Sequence, residues 1–195
     1  MLALPAVAAV IFDLDGTIAH SNPDFSGLRA ELGIDPRVDI LAHLASLSAA
    51  QRQWATEIVH KYELQSSDKA TWISGAAEVI AWWQSQGVPM AILTRNIRAA
   101  ADLTVARLGL TLPLLTRDDV AAKPDPEGVW YFCQQWQVAP EQVLFIGDYL
   151  FDIQTARNAG CAVALYCPDE LPEYAAQADW VFTSYQQLLA WLRAR

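Results

Sequence analysis

The chain has 195 residues, 53% of them hydrophobic and 18% charged, with a formal net charge of −9 and a mean hydropathy of +0.15. That length suits one packed core with at most a small appendage, and the apolar content excludes a disordered chain. The acidic balance argues against nucleic acid or an anionic membrane as partner. Cys133, Cys161 and Cys167 match no metal-ligand spacing and cannot all pair within one chain. They read as reduced, mostly buried thiols of a cytoplasmic protein. The apolar opening residues follow no basic leader and are cut short by Asp13, so neither a signal peptide nor a membrane span is expected. The eight tryptophans are scattered through helical contexts, where core packing is their default role.

In chain order, Val7 to Phe12 is an unbroken apolar run, the pattern of a strand buried on both faces of a parallel sheet. It stops at Asp13-Leu14-Asp15-Gly16-Thr17. Acids at the carboxyl end of a central strand stand where open α/β sheets bind ligands. Asp13 and Asp15 share one side if the strand continues; if the chain leaves the strand, Gly16 permits the turn that splays them. Either way like charges are crowded unless a cation neutralises them or one carries a proton, and an oxygen-only ligand set suits magnesium. Taken alone, the pair equally fits a strand end with solvated acids.

Residues 18–24 are polar, contain Pro23, and read as a loop or hinge. Phe25, Leu28, Leu32 and Ile34 then mark a short helix ending at Gly33. Ile40, Leu41, Leu44 and Leu47 mark a second, and Trp54, Ile58 and Val59 a third, with Ser48 and Gln51 spaced as a capping box. Nothing from Pro23 to about Ser67 has strand character, so an all-helical insertion follows the first strand. Beyond it, helices and apolar runs alternate: helix 76–86, strand 88–93, helix 99–108, a short strand in 112–116, a helix through Trp130 to about Trp136, strand 143–146, helix 152–158, strand 162–166, a strand at 180–182 and a final helix 185–192. Asp125 is placed as the N-cap of the helix before Trp130, with Pro126 at its first position. Such alternation implies right-handed βαβ crossovers and a doubly wound, Rossmann-like parallel sheet.

The polar residues fall at the strand ends. Asp13 and Asp15 follow the first strand, Thr94 the second and Asp148 the fourth, with Lys123 in the loop after the third. A parallel sheet brings these ends to one edge. Carboxylates for a cation, a hydroxyl and an ammonium for an anion, and nearby helix N-termini form the equipment of phosphoryl transfer. Each element also has a plainer use: Thr94 as a helix cap, Lys123 as a solvated loop residue, Asp152 as a helix cap. Their joint placement is what points to chemistry.

On these residues the chain resembles the haloacid dehalogenase-like hydrolase superfamily. Asp13-Leu14-Asp15-Gly16-Thr17 looks like its first motif, Thr94 its second, Lys123 its third, and Gly147-Asp148-Tyr149-Leu150-Phe151-Asp152 its fourth. The match runs through essentially the whole chain in order. The helical insertion resembles a small C1 cap of subfamily I, and the subgroup resembled is the phosphoglycolate-phosphatase-like one. The resemblance implies a core domain of residues 1–18 and 72–195 with a cap of residues 19–71.

It also implies roles. Asp13 would be the nucleophile that forms an aspartyl-phosphate, and Asp15 the acid and then the base. Magnesium would be held by Asp13, the Asp15 carbonyl and Asp148, with Asp152 in its outer shell or orienting Lys123. Thr94, Lys123 and the backbone amides of Leu14 and Arg95 would bind the phosphoryl oxygens. Dehalogenases of the superfamily lack an acid at the position of Asp15, so phosphoryl transfer is favoured. The implied partner is a small phosphorylated metabolite, phosphoglycolate among the options, acted on by a monomer or homodimer. His20, Ser21 and Arg29 are candidates to face the substrate, Arg29 equally reading as a solvated helix arginine, while His43 and His60 read as surface residues. His20 stands where many such sequences have Asp, and Ser74 where proline is common. A phosphosugar mutase uses the same first-step residues, and a non-catalytic metal- or phosphate-binding domain would use the same pocket.

Overall fold

The apolar run before Asp13 forms strand β1 (Ala9–Phe12), all four residues buried, and the sheet is laid out on both sides of it. The computed structural model describes residues 7–21 and 23–194. The first six residues, Asn22 of the expected hinge and the terminal Arg195 lie outside them. After β1 come β2 (Ala19–His20), α1 (Phe25–Leu32), α2 (Ile40–Ser46), α3 (Ala49–Ser67), β3 (Thr71–Trp72), α4 (Ala76–Ser85) and β4 (Met90–Leu93). Then follow α5 (Arg98–Leu108), β5 (Leu114–Leu115), α6 (Glu127–Trp136), β6 (Val143–Gly147), α7 (Leu150–Ala159), β7 (Ala162–Tyr166), β8 (Trp180–Phe182) and α8 (Tyr185–Arg193).

Six strands form one sheet in the order β5-β4-β1-β6-β7-β8, and every neighbouring pair is parallel. The chain builds outward from β1 through β4 and β5, then resumes on the other side with β6. The direction of winding therefore reverses at β1, the kind of point where doubly wound sheets open a crevice. Phe12 is level with Ile92 and Ile146. Asp13, Thr94 and Asp148 thus leave the sheet within one residue of the same level. Alternation along β1 feeds both layers: Val10 and Phe12 enter one apolar cluster, Ala9 and Ile11 the other. Burial on both faces is why the run carries no polar residue.

Between β2 and β3 the chain is helical, as expected. Leu28, Leu32, Leu44, Ala55, Ile58 and Val59 form a separate apolar cluster among α1, α2 and α3. The strands flanking this insertion pair antiparallel, Ala19 with Trp72 and His20 with Thr71. Two-residue strands are too short for a periodicity signal, so the ribbon was not foreseen. A second tie is electrostatic. The Arg117 guanidinium, after β5, grips Glu63 of α3 through both nitrogens, at 2.5 and 2.9 Å, with each side chain only 11% exposed. Burial pushes the Glu63 carboxyl up, opposed by the Arg117 charge.

Several local expectations need correction. Ser48 caps α3 by position only, since its hydroxyl donates to the Gln51 side chain at 2.7 Å instead of receiving a backbone N–H. The helix after Lys123 begins at Glu127 with Pro126 at its cap; Asp125 accepts from the Glu127 amide at 2.9 Å, one position earlier than placed. The tryptophans do not all pack inside: Trp83 is buried, but Trp54 and Trp130 are about half exposed. His43 and His60 are half-buried rather than surface residues. The three cysteines are free and buried. Among the described residues no helix is long and apolar enough to cross a membrane.

At the end of β6, Gly147 lies against the side chain of Asp152. A Cβ there would overlap the Asp152 carboxyl group, so only glycine lets the first turn of α7 fold back onto the strand.

Two predictions follow from this packing. Glu63→Ala should lower stability by about 3 kcal/mol, because it strands a buried guanidinium, seen as a Tm decrease on the order of 10 °C; an unchanged Tm would show that the tie contributes nothing. Gly147→Ala should cost about 1–3 kcal/mol by overpacking, measured by urea unfolding at constant m-value.

Candidate active site

The site is assembled at the carboxyl edge of the sheet from four segments. β1 ends at Phe12, and Gly16 takes a φ of 85°, so the chain turns away from the strand immediately. Asp13 and Asp15 are therefore splayed, which settles the alternative that the sequence left open. Asp13 is held at the edge by its amide, which donates to the Ile146 carbonyl at 2.8 Å. Its Oδ1 accepts from Lys123 Nζ at 2.6 Å. The same ammonium reaches Asp152 Oδ1 at 2.6 Å. Asp152 Oδ2 accepts from the amides of Asp148 and Tyr149, at 3.2 and 3.0 Å. Asp152 is thus both the helix cap and the partner of Lys123. Thr17 Oγ1 lies 3.3 Å from Asp148 Oδ1 and 3.5 Å from Asp13 Oδ2, spanning the two carboxylates.

Asp15 turns to a different set of partners. Ser21 donates to its Oδ1 at 2.6 Å. Thr94 Oγ1 and Asn96 Nδ2 donate to its Oδ2, each at 3.2 Å. Thr94, expected to bind the phosphoryl group, thus stands beside Asp15 together with Asn96, a residue to which the sequence pattern assigns no role. The only signal for Asn96 was an amide two residues beyond a strand-end hydroxyl.

Burial dominates the electrostatics. It pushes Asp13 up to about 7, against the Lys123 charge, with Asp152 and Asp15 adding to the rise. It drives Asp148 well above the ordinary carboxylate range, helped by Asp13 and Asp152. It also raises Asp15, against the pull of the Ser21, Asn96 and Thr94 hydrogen bonds. For Lys123 burial favours loss of charge, but the Asp13 and Asp152 carboxylates outweigh it and the ammonium is kept. Asp13, Asp148 and Asp152 bring oxygens within 4.8 Å of one another. Three carboxylates around one ammonium leave surplus negative charge, and an all-oxygen donor set with that surplus fits a hard divalent cation.

Leu14 is fully buried, and its carbonyl accepts from Ile18 and Ala19. The Arg95 side chain turns from the sheet edge to the helical insertion, pairing with Asp39 Oδ1 at 2.7 Å and lying 3.9 Å above the Phe151 ring. Arg29 lines the cavity above the site, 5.6 Å from the Phe25 ring centre. His20 is exposed on β2 and is not among the residues lining that cavity. Ser21 is buried and acts on Asp15. The cavity has a volume of about 580 Å³. Its floor is Asp13, Asp15, Thr94, Lys123 and Asp148; Phe25, Leu28, Val38, Ile40 and Val59 of the insertion form its apolar roof.

Known proteins share the fold and part of the sequence of this chain. A solved hydrolase from Pseudomonas syringae superposes with a TM-score of 0.83 over 97% of this chain and 99% of that one; at 20% identity the likeness concerns the fold. An N-acetylmuramic acid 6-phosphate phosphatase of Pseudomonas aeruginosa is 30% identical, over 80% of each chain. A haloacid dehalogenase-like hydrolase domain-containing protein of Arabidopsis thaliana is 31% identical, over 92% of this chain and 81% of its own length. The family model for haloacid dehalogenase-like hydrolases matches residues 7–160. The chain belongs to the haloacid dehalogenase-like hydrolase family.

Proposed function

We propose that the protein is a magnesium-dependent phosphatase that hydrolyses a small phosphate monoester through an aspartyl-phosphate on Asp13. The observation that carries this reading is the buried Asp13–Lys123–Asp152 chain beside Asp148, on the floor of the cavity. The kinship with a phosphatase supports it, since that relative is named for a phosphosugar substrate. Residues 19–71 act as a cap over a core of residues 1–18 and 72–195, and the cavity between them receives the leaving group. Its volume exceeds what a two-carbon acid such as glycolate fills, so a leaving group up to the size of a sugar is accommodated.

Asp13 and Asp148 would hold the cation, joined by the Asp15 carbonyl, because both oxygens of Asp152 are already engaged. Bound there, the cation supplies neutralising charge for the phosphoryl oxygens. Lys123 holds Asp13 in place and offsets repulsion between its carboxylate and the incoming phosphate. Thr94 and the amides of Leu14 and Arg95 orient the phosphoryl group. Asp13 then forms a bond to phosphorus as the bond to the leaving oxygen breaks, and Asp15 delivers a proton to that oxygen. In the second step Asp15 takes a proton from water, the water oxygen bonds to phosphorus, and the Asp13 carboxylate is released with inorganic phosphate.

On a panel of phosphate monoesters, magnesium should elicit phosphate release that chelator abolishes. Asp13→Asn should reduce it about 10³-fold or more while keeping cooperative unfolding; near wild-type turnover in this variant would refute the assignment. Interconversion of phosphosugar isomers without phosphate release would point to a mutase instead.

A pH dependence also follows. With Asp13 at about 7 in the native state, the folded protein keeps a proton that the unfolded chain loses near pH 4. The contribution of this group is therefore full below that pH and is lost as pH rises to about 7. Magnesium competes with that proton, so the Tm increase it causes should be larger at about pH 7.5 than at about pH 5. Equal increases at the two pH values would contradict binding at this cluster.

A further inference from the structure

Asn96 is buried one residue before the N-cap of α5, and three hydrogen bonds define its orientation. Its own amide donates to Thr94 Oγ1 at 3.1 Å. Its Oδ1 accepts from the Ile97 amide at 3.1 Å. An amide N–H can only donate, so the side-chain atom facing Ile97 is the oxygen and the atom facing Asp15 is the NH2 group. Thr94 Oγ1 receives the Asn96 amide at 3.1 Å and lies 3.2 Å from Asp15 Oδ2, a hydroxyl that can turn between donor and acceptor. Asp15 Oδ2 therefore faces one group that can only donate, the Asn96 NH2 at 3.2 Å, beside the Thr94 hydroxyl. Across the carboxyl group, Oδ1 receives the Ser21 hydroxyl at 2.6 Å, its one hydrogen-bond partner among the described residues, and a hydroxyl can reverse from donor to acceptor by rotating.

We infer that Asn96 is a positioning residue for Asp15: its NH2 group reserves Oδ2 as an acceptor, so that the proton delivered to the leaving oxygen is held on Oδ1. A proton on Oδ2 would face the Asn96 NH2 group, which can only donate, whereas a proton on Oδ1 requires only that Ser21 turn. Asn96 reaches neither phosphoryl group nor cation in this role. It holds the carboxyl plane and decides which oxygen is the donor.

The inference rests on the phosphatase reading, and leaving-group dependence separates the two. Asn96→Asp keeps an oxygen for the Ile97 amide but replaces the donor facing Asp15 with an acceptor; Asn96→Ala removes both. Each would be assayed by kcat/KM, which reports the steps through formation of the aspartyl-phosphate. The substrates are glycerol phosphate, whose alkoxide needs a proton, and p-nitrophenyl phosphate, whose phenolate leaves without one. Both variants should lose about tenfold or more on glycerol phosphate and less than about threefold on p-nitrophenyl phosphate, a fraction of the full acid contribution. Asp15→Asn should show the same bias, more strongly. A purely structural role would lower both substrates alike, so equal losses overturn the inference, as does no loss on either. Absence of magnesium-dependent release from either substrate by the wild-type protein would instead remove the phosphatase reading itself.

Discussion

A buried ammonium between two carboxylates organises this protein. Lys123 sits among apolar strands with Asp13 on one side and Asp152 on the other, each at 2.6 Å. The three groups come from a strand end, a loop and a helix N-terminus, so the ammonium meets neither acid until the sheet has formed. A lysine buried alone would shed its proton, and either acid alone would take one up. Held together they remain charged in part, and the part left over matters most. Asp152 has both oxygens engaged, whereas Asp13 keeps Oδ2 opposite Thr17 and the cavity. The strain of that surplus charge appears in Asp13 and Asp148, both pushed upward by burial and by each other. Such a cluster is poorly suited to stability and well suited to meeting a cation and an anion together.

The second constraint is the relation of roof to floor. The helical insertion has its own small apolar cluster, yet it does not rest on apolar contacts alone. Glu63 of α3 is gripped by Arg117 near the end of β5, and Arg117 also donates to the Arg95 carbonyl. Arg95 in turn pairs with Asp39, which caps α2 through its other oxygen. One chain of polar contacts therefore runs from α3 through the loop after β4 to α2. That loop also carries Thr94 and Asn96, two of the three side chains hydrogen-bonded to Asp15. The groups that hold the roof and the groups that orient Asp15 thus share a short stretch of backbone, Thr94 to Ile97.

Much of the fold could be read from local pattern. Each buried strand is an apolar run, and each run but the last two ends in, or is soon followed by, a residue with chemistry to offer. Asp13, Asp15, Thr94, Lys123 and Asp148 were legible because parallel topology sends all those ends to one edge. What stayed illegible depends on direction rather than position. The pattern could not say whether Asp13 and Asp15 share a face, because that turns on where β1 stops; it stops one residue before Asp13. It could not tell that Arg95 points away from the sheet edge, or that Asp152 serves two functions at once. Ser21 looked like a substrate contact and is instead buried against Asp15, while His20, beside it, faces solvent.

By itself, then, the sequence determined the alternation of strands and helices, the helical insertion after β1, and which residue types gather at the carboxyl edge. Hydrophobic periodicity is a local property that each segment displays on its own. Only the tertiary structure decided the partners: Lys123 with Asp13 and Asp152, Asp15 with Ser21, Thr94 and Asn96, Arg117 with Glu63. Hydrogen bonds and ion pairs between segments 29 to 110 residues apart, such as those of Lys123, leave no periodic trace. They are chosen by the cost of leaving a buried polar group without a partner, a condition that exists only once the chain has closed around it.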